Sequence, residues 1–306
     1  MFVTRNITSI ILLGFSNLQN FKFLFFSLLG VLYCGVMIGN LLIMVLYLVS
    51  KTLQSPMYFF ITQLSLCDVL LSTDIVPVLL HTVLYGRSIM TFAGCIVQFY
   101  LFASSEGSEC LLLSVMSYDR YLAICNPLRY NSIMSHTFCV ALVFIIWLMI
   151  FLIMLLQITL IYNLYFCGPH IIDHFYCDRE PILQLSCSDL TIIHTQNSIF
   201  GYIFVFLPFN IIVMSYIYIA VTILKIPSNT GRQKAFSTCS SHLIVVSLFY
   251  GTLIIVYLFP TRGQSQTMSK VLSLVYTVLT PLLNPIIYTL KNKDFKEALH
   301  KIKHVF

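Results

Sequence analysis

Seven stretches of the chain stay apolar for about 20 residues or longer, with short polar breaks between them. They run over about 23–49, 57–84, 92–125, 138–160, 191–225, 234–259 and 267–290. An α-helix rises about 1.5 Å per residue, so each stretch can cross the hydrocarbon core of a bilayer. The pattern predicts an all-α fold, a bundle of seven transmembrane helices. Several stretches exceed the minimum, which leaves room for tilt. Beyond Leu290 the pattern changes. Phe295, Leu299 and Ile302 recur at i, i+4 and i+7 among Lys293, Lys296, Lys301 and Lys303. That spacing predicts a short amphipathic helix along the inner leaflet. The expected organisation is one domain over 1–306: an extracellular 1–22, the bundle 23–290, and a cytoplasmic helix and tail 291–306.

Composition agrees. The 306 residues are 58% hydrophobic and 9% charged, where soluble domains carry about 25% charged residues. The net charge of +6 is no argument for nucleic acid, because the basic residues lie between apolar segments and gather at the C-terminus. Met1 to Asn20 has no basic stretch followed by a short apolar run and a small-residue cleavage site, so the first span is expected to direct its own insertion. With the N-terminus outside, about two thirds of the Lys and Arg residues fall in the cytoplasm, as the positive-inside rule favours. Asn6-Ile7-Thr8 is an N-glycosylation acceptor usable only on that outer side. Of the ten cysteines, Cys95, Cys167, Cys177 and Cys187 then lie in the oxidising compartment. They imply two disulfides, with three connectivities open. His170, Asp173, His174 and Asp178 share the long loop with three of these cysteines, which leaves a metal site as a less favoured alternative.

The chemistry lies in the polar residues at membrane depth, where a charge costs several kcal/mol unless paired or wetted. These are Asp68 in span two, Glu106 and Glu109 in span three, and the neutral Asn40 and Asn284. At 100° per residue, Phe99, Phe102, Glu106, Glu109, Leu113 and Arg120 share one stripe. Arg120 lies roughly 20 Å below Glu106 along it. Beside Arg120 stands Asp119, a local ion pair that can be exchanged for other partners, so one helix face links an outer pocket to a cytoplasmic switch. Glu106 is either a protonated acid bonded to a nearby Ser or Thr, or a ligand contact. Asp68 and Glu109 could share a proton or hold a cation such as sodium. Pro208, Pro281 and Pro285 predict kinks. Span six pairs a small, polar inner half, Lys234 to His242, with an apolar outer half.

In this order the motifs resemble the odorant (olfactory) receptors, a branch of the rhodopsin-like G-protein-coupled receptors. They are Gly39-Asn40; Ser55-Pro56-Met57-Tyr58-Phe59-Phe60 through Leu64-Ser65-Leu66-Cys67-Asp68; and Met116-Ser117-Tyr118-Asp119-Arg120-Tyr121-Leu122-Ala123-Ile124-Cys125. Ser215-Tyr216, Lys234-Ala235-Phe236-Ser237-Thr238-Cys239-Ser240-Ser241-His242-Leu243 and Pro281-Leu282-Leu283-Asn284-Pro285-Ile286-Ile287-Tyr288 complete them. The stretches around Cys177 and Cys187 look like the tetrapod-type (class II) members. Ser117, Gln54 and Lys291 depart slightly from the usual residues.

The resemblance implies disulfides Cys95–Cys177 and Cys167–Cys187. It implies an odorant pocket lined by Phe102, Ala103, Glu106, Gly107, Phe200, Phe204, Tyr250, Leu253, Ile254, Tyr257 and Thr277. Asp119, Arg120, Tyr216 and Tyr288 would form the G-protein switch. Asn40, Asp68, Glu109 and Asn284 would form the polar core, with sodium at Asp68 and Glu109. The implied partners are a small, mostly apolar odorant, membrane lipid and a stimulatory heterotrimeric G protein that raises cyclic AMP. The implied location is the plasma membrane of sensory cilia. Glu106 is unexpected in such a pocket and hints at a ligand with a hydrogen-bond donor or cationic amine. Two other classes fit less well. A transporter would show internal repeats and matching broken helices, and comparing the halves finds none. An intramembrane enzyme would need a nucleophile–base or metal motif, and neither His-Glu-x-x-His nor Gly-x-Ser-x-Gly occurs.

Overall fold

A computed structural model describes residues 3–4, 8–15, 20–167, 169–258 and 266–303. Among them the chain forms helices α1 (Lys22–Val49), α2 (Pro56–Tyr85), α3 (Phe92–Cys125), α4 (Pro127–Ile133), α5 (His136–Tyr162) and α6 (Arg179–Leu183). There follow α7 (Thr191–Gly201), α8 (Leu207–Lys225), α9 (Asn229–Leu258), α10 (Gln266–Leu274), α11 (Thr280–Lys291) and α12 (Lys293–Lys303). Spans five and seven are each two helices joined by a π-helical turn, so α1, α2, α3, α5, α7–α8, α9 and α10–α11 are the seven spans.

Local chemistry sets the ends. Pro56 opens α2 at a position where its missing N–H costs nothing, and Gly86 closes it at φ 76°, a conformation open to glycine. The Thr91 and Ser135 hydroxyls cap α3 and α5 by accepting from Gly94 N (3.0 Å) and Phe138 N (3.3 Å). Pro208 and Pro281 do not simply bend their helices. Each follows a wide π turn, Tyr202–Phe206 and Val275–Leu279, in which Leu207 N donates to Tyr202 O and Thr280 N to Val275 O.

Span six begins earlier than its apolar pattern predicts, at Asn229 rather than about 234, because the polar inner half is helical too. The connection from span five is therefore only residues 226–228. The C-terminal helix forms where the spacing predicts it. Phe295 and Ala298 are buried, and Phe295 meets the Tyr58 ring edge-on at 5.2 Å. The Tyr58 hydroxyl donates to Asp294 Oδ2 (2.5 Å) and Asn292 Oδ1 (3.1 Å). The apolar face of α12 thus packs on the bundle, at least in part.

Large apolar side chains point outward, with Leu24 and Val31 71% and Leu48 76% exposed. Only a lipid surround accommodates such a surface. Among the described residues, α1, α2, α5, α7–α8 and α10–α11 are each long and apolar enough to cross a membrane, and α3 carries buried polar residues such as Glu109 and Arg120 on its interior face. α3 is the central post, packed against α2, α5 and α8. At Gly39 a β-carbon would stand 2.9 Å from Pro285. That close approach of α1 to α11 lets Asn40 Nδ2 donate to Pro281 O (3.1 Å) as well as Val36 O (3.0 Å).

A small cap closes the outer end. Strand β2 (Ser9–Leu12) pairs antiparallel with β3 (Ser88–Thr91) and parallel with β5 (Ile171–Ile172), while β1 (Val3–Thr4) pairs with β4 (Phe166–Cys167). Disulfides Cys95–Cys177 and Cys167–Cys187 form as the resemblance implied. The four loop cysteines are therefore used up. Of the loop's proposed metal ligands, Asp173 pairs with Lys270 and Asp178 caps α6.

Candidate ligand-binding and signalling site

Three tiers of buried polar groups lie along α3. The outer tier is roofed by the segment after β5, which dips between the helices. Cys177 N donates to Gln98 Oε1 (2.9 Å), and Gln98 Nε2 donates to Asp74 O (2.9 Å). The Tyr176 hydroxyl is 2.6 Å from that of Tyr276, and both rings pack on Phe102 with centroids at 5.1 and 6.0 Å. Lys270 bonds Asp173 and donates to Gly14 O (2.6 Å). Gly14 itself has φ 55°, and a side chain there would collide with Thr82. Burial, then the nearby Lys270, pushes the pKa of His174 down to about 3, so this imidazole is neutral. Burial raises the Asp178 carboxyl above its ordinary range despite Arg179.

Of the expected pocket residues, Phe102, Phe204, Tyr250, Leu253 and Thr277 are buried, and Ala103, Glu106 and Phe200 partly so. The Tyr250 hydroxyl donates to Cys110 O (3.5 Å), and Thr277 Oγ1 donates to Ser273 O (2.7 Å). Glu106 Oε1 is enclosed with no hydrogen-bond partner, so the Ser or Thr bond expected for a structural acid does not reach this oxygen. Two expected residues point elsewhere. Gly107 faces Ile150 of α5, whose Cδ1 would lie 3.1 Å from an added β-carbon, and Ile254 is 41% exposed on the outer surface. The side chain of Tyr257 and the glycosylation acceptor Asn6 lie outside the described residues.

In the middle tier, Asn284 Nδ2 donates to both Asp68 oxygens at 3.2 and 3.1 Å, and the Glu109 carboxyl is within bonding reach of Asp68. Two touching carboxyls require a proton or a cation between them. The stripe read from the sequence is accordingly an interior face.

The inner tier holds Arg120 clamped. Its Nε donates to Asp119 Oδ2 at 2.9 Å and its Nη2 bonds the same oxygen. The Tyr130 hydroxyl, from α4, donates to Asp119 Oδ1 (2.9 Å). Burial and Asp119 push the Tyr130 phenol above its ordinary value, so it remains a donor. Tyr216 and Tyr288 make no hydrogen bond to Arg120. Tyr216 bonds His242 Nδ1 of α9 (2.7 Å), and the Tyr288 hydroxyl is buried without a partner. Sequence reasoning missed Tyr130, His242 and Lys270 as participants. His242 stood inside a recognised motif; Tyr130 lies past the Asn126-Pro127 break, across which helical register cannot be carried.

A membrane bundle of seven helices, with an aromatic-roofed outer cluster and a clamped arginine joined by one interior stripe, is a seven-helix receptor. The chain belongs to the olfactory receptor family, whose family model matches residues 29–305. It is 45% identical to human olfactory receptor 11A1 over 298 residues, covering 97% of this chain and 94% of that one. It is 45% identical to human olfactory receptor 10A7 over 295 residues (96% and 93%) and 44% identical to human olfactory receptor 11H6 over 300 (97% and 90%). It is thus a multi-pass membrane protein and a receptor, not an enzyme.

Proposed function

We propose that the chain binds a small odorant between the outer halves of spans three, five, six and seven and activates a stimulatory heterotrimeric G protein, raising cyclic AMP. The Arg120 clamp carries the reading. A buried guanidinium held by Asp119, itself held by Tyr130, is a resting arrangement with an alternative, since Tyr216 and Tyr288 stand on neighbouring helices with hydroxyls that could receive Arg120. A ligand that binds the released form more tightly shifts the population toward it. Outward movement of the inner half of α9 would break Tyr216–His242 and expose Arg120 to the G protein. The chain would sit in the plasma membrane with its N-terminus outside, where the disulfides are stable.

The middle tier fits sodium. Asp68 and Glu109 supply charge, and Asn284 turns its amide N–H groups to Asp68 while its Oδ1 is left unpartnered. A bound cation would neutralise the carboxyls and hold spans two, three and seven together, favouring the resting state. A screen of structurally diverse odorants on cells expressing the chain with an olfactory-type G protein tests the function. At least one odorant is expected to raise cyclic AMP in a concentration-dependent way; silence at confirmed surface expression would refute the reading.

A further inference from the structure

Glu106 is a feature of the outer cluster that an apolar odorant leaves unanswered. Its neighbours along α3 are Phe102 and Ala103, and Phe204, Tyr250 and Leu253 are the apolar walls expected opposite. Its Oε1 has neither solvent nor a partner, a state that costs several kcal/mol if it persists unmatched. The charged groups acting on it are Asp178, Glu109 and Arg179. Glu109 is turned to Asp68. Asp178 and Arg179 are adjacent, held over α3 by the Cys95–Cys177 disulfide, and offset one another in charge. Arg179 does not satisfy Glu106 either: its buried Nε has no partner, and the two make no ion pair. Glu106 Oε1 therefore meets no N–H donor or positive charge within the protein.

Resting on the receptor reading above, we propose that Glu106 selects ligands with a basic amine on a small apolar body, the ammonium meeting its Oε1 while the hydrocarbon packs on the aromatic walls. An amine is favoured over an alcohol of equal length because it brings charge as well as a donor into a site of low dielectric, where charge-assisted bonds are roughly twice as strong. The body must be short, since Tyr176 and Tyr276 close the roof over Phe102.

The test uses the full-length receptor in cells, with surface expression measured, and a matched pair of probes: n-hexylamine and 1-hexanol, alongside a panel of neutral odorants. The wild type should respond to the amine at a concentration at least about tenfold lower than to the alcohol. Glu106→Gln should bring the amine-to-alcohol potency ratio to about one, and Glu106→Asp should keep part of the preference. A purely structural Glu106 would lower both responses together, so the amine-to-alcohol ratio isolates the claim. Equal potency of the two probes on the wild type, or an unchanged ratio in Glu106→Gln, overturns the inference. Responses to neutral odorants with none to amines overturn the ligand class and leave the receptor reading standing. Silence to every compound at full surface expression overturns both.

Discussion

Asp119 lies one position before Arg120 on the same helix and grips it through one oxygen, while Tyr130 of α4 holds the other. Removing that hydroxyl leaves the ion pair in place but loosens its anchor. A hydrogen bond of this kind contributes about 0.5–1.5 kcal/mol, so Tyr130→Phe should raise ligand-independent cyclic AMP by about two- to tenfold at equal surface expression. A basal level equal to wild type would mean that Tyr130 does not restrain the clamp. Asp68→Asn removes a charge from the middle tier, and exchange of sodium for a bulky organic cation should then no longer change basal signalling. Retained sodium sensitivity would place the ion elsewhere. The Asp-Arg pair was visible in the sequence, as were Asp68 and Glu109, because charges are conspicuous in apolar runs. Asn284 was visible likewise, as a polar residue in an apolar run, but Tyr130 was not: it is a polar residue of an ordinary kind, and which oxygen it reaches depends on packing.

The outer cap buries apolar strand residues such as Ile10, Leu12 and Ile172 in one cluster. Its strands are two to four residues long, too short to carry a periodicity, so nothing in the sequence predicted them. The long helices were legible to within a few residues, because an apolar run has no other reading at membrane depth. The π turns were not, since proline marks only where a helix must deviate. Lys270 ties α10 to Asp173 and to the Gly14 carbonyl. Lys270→Met strands the buried Gly14 carbonyl, while the exposed Asp173 turns to water, and should lower stability by about 1–3 kcal/mol, read as a lower melting temperature of purified receptor; an unchanged melt would show the tie to be idle. His174 gives the cap a pH dependence. When detached it takes up a proton near 6.5, but packed it does so only near 3, so stability is full above about pH 6.5 and falls as pH drops through that window. At pH 5 the loss is about 2 kcal/mol. The drop in melting temperature between pH 7.5 and 5.0 should shrink in His174→Phe, and an equal drop in both would contradict the assignment.

At the scale of the whole molecule, α3 strings an outer cluster, a carboxyl pair and a clamped arginine on a single face, about 20 Å from Glu106 to Arg120. The order of motifs along the chain made that architecture readable, and the relatives confirm the family. The ligand set was only partly readable, because a stripe fixes which residues face inward on one helix but not how neighbouring helices rotate: Gly107 turned to Ile150 and Ile254 outward. Signal transfer along α3 is the central claim, and its output end is the most direct place to test it. Odorant-evoked cyclic AMP should be measured for wild type and Arg120→Ala at matched surface expression, using any agonist found for the wild type. The account predicts a concentration-dependent rise in wild type and none in the variant, while the variant still binds the agonist. A variant that signals like wild type would contradict it.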